Sequence, residues 1–451
     1  MSQSFHVENF GCRATRADSE AIADSLRAAG MSESDEAASL IVVNTCSVTA
    51  EADKSARAYL RRAYREHPNA KILVTGCYAQ RAPEELSVLS GVAAVIGNSH
   101  KALVPEIALG LLQPASKMPN LLSVAALFDG KVLVEENFAH SELASPDLKP
   151  GAQTRPNLKV QDGCSNRCSF CIIPTTRGGN SRSLPVEEAL SRVRSFSRQG
   201  GLELVMSGIN LGRYGLDLQA HTTLAGLIRK IFEQTSLFRL RISSVEPMDW
   251  DEEIFQLLAE YACGPQPRLA RHAHLPLQSG CDRTLRAMHR RYRPWHYVEK
   301  LSRLRSLLPD AAIGADVMVG FPGESDADFK ESYDFIAAQP FSYLHLFPFS
   351  ARPATRAWEL YRKHPTPPQA VAERMNALRK LIQGKREQFL CSQMGQTLPA
   401  ISLHGGKALT DNFLEAAIAP ETPANLAGGL RLLPGSNSDL VAEFRVDTVP
   451  A

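Results

Sequence analysis

The sequence predicts an α/β protein in three parts. An N-terminal three-layer α/β domain on a parallel sheet takes residues 1–140, and a linker takes 141–156. A partial (βα)6 barrel with a following helix takes 157–391, and a small all-β domain takes 392–451. Three observations predict this. Short β-branched apolar runs alternate with amphipathic stretches, which implies parallel strands joined by helical crossovers. Residues 141–156 are polar, proline-bearing and without an apolar period, as a linker is. The chain after 392 breaks into short apolar runs between Gly and Pro turns, the pattern of a small β-barrel or sandwich.

In the first part, 6–10 reads as a strand, and Asp18 as the cap of a helix whose Ile22 and Leu26 share a face and which Gly30 ends. The β-branched run 40–44 reads as a buried strand. A helix from Glu51 stops at Pro68, and strands follow at 71–75 and 91–96. In the second part six strands are expected, at 158–160, 202–206, 238–242, 272–277, 312–319 and 342–348. Helical stretches at 185–199, 224–232, 252–259 and 326–338 separate them. A full eight-unit barrel needs roughly 250 residues, so an incomplete, TIM-like barrel is expected, with ligands at the carboxyl ends of its strands. A helix carrying Arg374, Arg379, Lys380, Lys385 and Arg386 follows Pro368.

The net charge of +2 is unevenly spread: residues 1–150 carry −4, 151–391 carry +9 and 392–451 carry −3. A polyanion would be drawn to the middle segment, although a mild arginine excess on a solvated face explains the same numbers. Residues 1–10 lack a basic stretch followed by an apolar run, and no apolar run reaches bilayer length. A cytoplasmic protein with no membrane partner is therefore expected. Nine cysteines in a reducing compartment point to buried, metal-bound or catalytic thiols.

Cys164, Cys168 and Cys171 form a C-x3-C-x2-C loop directly after the strand at 158–160. Three thiolates on a tight loop can hold three irons of a cubane and leave the fourth iron open to an outside ligand. A structural zinc site would want a fourth ligand, and none is supplied nearby. Cys12, Cys46 and Cys77 each follow a predicted strand of the first domain, so a parallel sheet brings all three to one edge, where such sheets place ligands. Small buried hydrophobes are the commonest role for a lone cysteine, but three at matched strand ends argue for a second cubane. Cys263, Cys281 and Cys391 have no spacing partner and read as structural.

The C-x3-C-x2-C loop, with Phe170 between its second and third thiols, resembles the signature of the radical S-adenosylmethionine (SAM) enzymes. Together with Asn44-Thr45-Cys46 and Thr75-Gly76-Cys77 it resembles the methylthiotransferases of that superfamily. The resemblance covers nearly the whole chain and implies two 4Fe-4S clusters. The one on Cys164, Cys168 and Cys171 would bind SAM and, given an electron, cleave it to a deoxyadenosyl radical. The auxiliary one on Cys12, Cys46 and Cys77 would supply or bind the inserted sulfur. It also implies a C-terminal TRAM-like domain, a tRNA anticodon stem-loop as partner, an electron donor such as flavodoxin or ferredoxin, and a sulfur source.

Further segments resemble family patterns at strand ends: Ser207-Gly208-Ile209-Asn210, Ser244-Val245-Glu246-Pro247, the run 274–280, and Gly320-Phe321-Pro322-Gly323-Glu324. The resemblance makes Gly208, Glu246, Gln278, Ser279 and Gly320 candidates for contact with SAM, Glu246 through a ribose. Each alone is also explained as a turn closing a strand. Arg177 and Arg182, just past the cluster loop, are placed to neutralise an anionic cluster or meet a phosphate, and Met288, Arg290, Arg291 and Tyr292 to meet RNA or to end a helix. Arg57, Arg61, Arg62 and Arg65 form a helical basic stripe that reads as a solvated face, with RNA contact as the alternative.

The runs 44–49, 159–164 and 409–413 resemble the branch acting on threonylcarbamoyladenosine at position 37, next to the anticodon, where the methylthio group goes to C2. The alternatives are the isopentenyladenosine branch, the ribosomal-protein aspartate branch and, in a different class, a non-catalytic iron–sulfur carrier. The acidic C-terminal domain departs from the family, because a phosphate clamp needs clustered cations.

Overall fold

The computed structural model describes residues 3–112, 131–138, 143, 146–150, 154–433 and 441–446. Much of the expected linker at 141–156 lies outside them. Among the described residues no helix is long and apolar enough to cross a membrane. The chain divides into two compact units, one of 1–147, 159–183 and 350–358, the other of 148–158, 184–349 and 359–451.

The first unit holds a six-stranded parallel sheet in the order β2-β1-β3-β4-β5-β6. Its strands are β1 (Ser4–Asn9), β2 (Ser32–Glu33), β3 (Leu40–Thr45), β4 (Lys71–Gly76), β5 (Val92–Gly97) and β6 (Val132–Leu133). The expected strands are present, and the two unexpected ones are edge strands of two residues, too short to show a pattern. Residues alternate faces along a strand, so Ile41, Val43, Ile72 and Val74 pack one core with Ala56 and Leu60 of α2 (Ala50–Glu66). Leu40, Val42, Leu73 and Ile96 pack the other with Ile22 and Leu26 of α1 (Arg13–Ala28) and Ile107 of α5 (Val104–Leu112). Both faces are buried, which is why these strands read as continuous apolar runs. Two short helices, α3 (Cys77–Arg81) and α4 (Pro83–Ser87), link β4 to β5.

The helix start expected at Asp18 is corrected: α1 begins at Arg13 with Cys12 at its N-cap, and Asp18 lies mid-helix with a fully buried side chain. Its carboxylate is held by buried cations rather than by helix N–H groups.

In the second unit β9 (Glu203–Gly208), β10 (Arg239–Ile242), β11 (His272–His274), β12 (Ala312–Val319) and β13 (Tyr343–Pro348) run parallel in chain order. β7 (Asn157–Asp162) starts in this unit, where the carbonyl of Pro156 accepts the N–H of Val205 on β9 at 3.0 Å. This is a partial βα barrel. The strand expected over 272–277 stops at His274 because Pro276 has no N–H to give the ladder. Pairing resumes at Gln278, which takes φ +62° and bonds Asp316 and Met318 of β12. After the helix Pro368–Gln393, five strands close a small barrel in the order β14-β15-β16-β18-β17. They are β14 (Thr397–Leu403), β15 (Lys407–Thr410), β16 (Glu415–Ala417), β17 (Ala427–Leu433) and β18 (Val441–Val446), around a core of Leu398, Ala408, Leu430 and Leu432.

Candidate cluster sites and their buried ion network

The first unit brings Cys12, Cys46 and Cys77 to one edge, because β1, β3 and β4 are neighbours in register. Asn9 pairs with Asn44 and Asn44 with Thr75, and Thr45 pairs with Gly76. Cys46 and Cys77 are each the next residue past that last pair, and Cys12 opens α1. Two glycines are required here. Gly11, at φ +128°, lies so close to Cys46 that a Cβ would stand 2.7 Å from Cys46 Cβ and 3.1 Å from its Sγ. A Cβ on Gly76, at φ +101°, would stand 2.3 Å from the carbonyl of Thr45. Asn44 braces the edge through bonds of 2.8 Å to the Thr15 carbonyl and 2.9 Å to Ser19 Oγ.

The thiols feel one another. Burial first, then the charge of Cys77 and to a lesser degree that of Cys12, pushes the Cys46 thiol up to about 12. Iron at this edge would hold all three as thiolates. Among the described residues no three Cys, His, Asp or Glu side chains close around a single ion. A cubane does not ask for that, because each protein thiolate ligates a different iron. The donor chemistry and the glycine-lined approach fit such a group.

Cys164, Cys168 and Cys171 belong to the same unit. The loop is held at its start by Cys164 N–H to the Gly178 carbonyl, 3.0 Å, and within itself by Cys171 N–H to the Cys168 carbonyl, 3.1 Å. β7 delivers it, the short helix Ile173–Arg177 leaves it, and β8 (Arg182–Ser183) pairs back on β7. Gly163 permits the return at φ +79°, where a Cβ would stand 2.0 Å from the Asn180 carbonyl.

Between the sheet edge and this loop lies a charged cluster that sequence reasoning missed. Asp18 accepts from Lys101 at 2.8 Å, Lys159 at 2.5 Å and Arg177 at 3.0 Å. Asp162 accepts from Lys159 at 2.6 Å, from Arg177 at 3.0 Å and from the Gly163 N–H at 2.8 Å. Burial alone would raise both carboxyls. The cations overcome it and hold them well below the usual carboxylate range. Arg177 therefore meets carboxylates, not a phosphate. Asn98, after β5, donates to the Thr176 carbonyl at 2.7 Å and lies 3.4 Å from Cys77 Sγ, tying the loop's exit helix to the thiol edge. Asp53 likewise receives Arg81 at 3.0 Å and Arg352 at 2.6 Å.

In the second unit the candidate SAM residues scatter along strand ends. Gly208 closes β9, and Glu246 follows β10 and takes a hydrogen bond from buried Arg290. Gln278 and Ser279 are buried beyond β11, with Ser279 Oγ accepting from the Cys281 N–H at 3.2 Å. Gly320 follows β12 at φ +77°, and its N–H reaches Glu324 at 2.9 Å. Tyr292 bonds the carbonyls of Pro276 and Leu277 at 2.8 and 2.5 Å, so Arg290 and Tyr292 are internal braces while Arg291 stays half exposed. Cys281 is buried 3.4 Å from Asp328, and Cys263 and Cys391 are exposed.

Asp316, near the middle of β12, was not singled out from the sequence, where it reads as one more strand residue. Burial first, then the charge of Glu246, raises its carboxyl to about 6. The folded protein thus keeps a proton that the unfolded chain releases between about pH 4 and pH 6. This contribution is full below that window and is lost as pH rises through it. Asp316→Asn is expected to leave acid stability unchanged and to stabilise the apoprotein at about pH 7.5. The gain is roughly 2 kcal/mol, below the full linkage value because the carboxyl keeps 27% of its surface exposed. Urea denaturation at both pH values checks this.

A C-x3-C-x2-C loop at the carboxyl end of a strand feeding a parallel partial barrel defines the radical SAM class. The Radical SAM superfamily model matches residues 158–336, and that of Uncharacterized protein family UPF0004 matches 4–97. Threonylcarbamoyladenosine tRNA methylthiotransferase MtaB of Aquifex aeolicus is 34% identical, covering 90% of this chain and 95% of that protein. Its Bacillus subtilis counterpart is 35% identical over 78% and 74%. A tRNA-2-methylthio-N(6)-dimethylallyladenosine synthase of Syntrophotalea carbinolica is 31% identical over 88% of each. The chain belongs to the radical SAM methylthiotransferase family and is most like its threonylcarbamoyladenosine tRNA methylthiotransferase branch. Among solved structures, the radical SAM methyltransferase TsrM of Kitasatospora setae matches with a TM-score of 0.54 at 16% identity, over 79% of this chain and 77% of that one, a likeness of fold.

Proposed function

We propose that this protein transfers a methylthio group to C2 of N6-threonylcarbamoyladenosine at position 37 of tRNA, with SAM as methyl donor and radical source. The observation that carries this reading is the presence of two cysteine trios in one compact unit, each at strand ends and both joined to one buried ion network. When bound, 4Fe-4S clusters at the trios would supply an electron to SAM at Cys164, Cys168 and Cys171, and sulfur at Cys12, Cys46 and Cys77. The chain's own residues do the positioning. Asp162 anchors the start of the loop through Gly163, Arg177 clamps its exit, and Asn98 holds that exit to the Cys77 edge. Gly208, Glu246, Gln278, Ser279 and Gly320 line strand ends where SAM and the nucleoside would be oriented. An electron donor such as flavodoxin or ferredoxin and a sulfur source complete the partners.

Mass spectrometry of tRNA nucleosides tests the reading. A deletion strain is expected to lose 2-methylthio-threonylcarbamoyladenosine, accumulate its unmodified precursor and recover on complementation. Loss of the methylthio dimethylallyladenosine instead would move the protein to the other branch.

A further inference from the structure

We infer that the buried network of Asp18, Lys101, Lys159, Asp162 and Arg177 is an electrostatic support for an anionic cluster on Cys12, Cys46 and Cys77, raising its reduction potential. This rests on the cluster reading above. Three cations face two carboxylates in the network, so it holds one positive charge in excess. Arg182 adds a further, partly exposed cation 3.9 Å from Asp162. None of the five side chains is more than 11% exposed, so water does not screen that excess. An uncompensated buried charge costs several kcal/mol, so a structural ion cluster is expected to balance. A cluster at the thiol edge would offset this excess. Asn98 lies 3.4 Å from Cys77 Sγ and holds the carbonyl of Thr176, the residue before Arg177, and Asp18 sits on the helix whose N-cap is Cys12. The excess cations therefore face the side on which thiolates and a cluster would place negative charge. Reduction adds one more negative charge there, and cations in a low-dielectric setting favour the reduced form.

The sign of the effect separates this role from a purely structural one. The full-length protein with Cys164, Cys168 and Cys171 changed to alanine would be reconstituted anaerobically, assayed for iron and titrated for its midpoint potential by electron paramagnetic resonance. In that background Lys101→Met is expected to lower the potential and Asp18→Asn to raise it. Each would shift the one-electron equilibrium by tenfold or more, about 59 mV. Arg177→Lys, which keeps the charge, is expected to stay near the parent value. If Lys101→Met loses its iron, Arg177→Gln carries the same sign test. Shifts of one sign in both classes of variant, or iron-loaded variants that stay at the parent potential, would overturn the inference while leaving the cluster reading intact. A parent that holds no iron overturns the cluster reading and this inference with it.

Discussion

Cys46→Ala is expected to abolish methylthio transfer while leaving the SAM-binding trio intact. Purified anaerobically, the variant should hold about half the iron and sulfide of the parent and still release 5′-deoxyadenosine from SAM under reducing conditions. The argument is local. Cys46 is one residue past β3, pressed by Gly11 and flanked by Cys77 across the sheet edge. No other thiol of this edge is available to replace it. The loop of Cys164, Cys168 and Cys171 is fastened separately, through Asp162, Arg177 and the Gly178 carbonyl. Cys168→Ala should lose both deoxyadenosine release and transfer. Chromatography of reaction mixtures together with iron analysis reads out both. Product formation by Cys46→Ala at the parent rate would sink the two-site reading.

The largest effect on stability is expected from Arg241→Ala, at about 3–5 kcal/mol. Glu203 is fully buried at the start of β9, with Arg241 at 2.9 Å and Arg239 and Arg155 each at 3.7 Å. Arg241 also donates to the carbonyls of Asp411 and Thr410 at 3.0 and 3.1 Å and lies over the ring of Phe413. Truncating it leaves a buried carboxylate with only its more distant partners and removes one donor from each of two buried carbonyls, of which that of Thr410 keeps the Phe413 N–H at 3.1 Å. Asp411 has a second hold, Arg271, at 2.5 and 3.0 Å, so the C-terminal barrel should stay docked but loosen. Urea denaturation and the rate of proteolysis near residue 410 measure both effects. A loss below about 1 kcal/mol would mean that Glu203 is satisfied without Arg241.

This same segment shows where a family likeness and a physical role part. The run 409–413 marked a branch of the family in the sequence. In the fold it is a plug. Phe413, at φ +70°, packs its ring 4.5 Å from that of His272, and Asn412 bonds the Asp310 carbonyl at 3.0 Å and Gln393 at 2.9 Å. These contacts lie at the amino ends of the barrel strands, opposite the end where such barrels bind ligands. The acidic charge of the C-terminal domain is consistent with part of its polar surface being spent on docking rather than on phosphate.

The parallel strands, their burial and the place of six cysteines after strands are legible in the residue order alone. Those features depend on local periodicity and on spacing within a few residues of a strand. What surrounds the thiols is set by the folded chain. Asp18 and Arg177 stand 159 residues apart, and Asp18 and Lys159 stand 141 apart. In the sequence Asp18 reads as a helix cap, Lys159 as part of a strand, and Arg177 as a neighbour of an anionic cluster or a phosphate. A buried ion pair has no periodic signature, because it comes from the meeting of distant segments whose charges are stable only once water is excluded. Asp316 is silent for the same reason: its proton affinity comes from burial and then from Glu246, neither of which is written in the residues beside it.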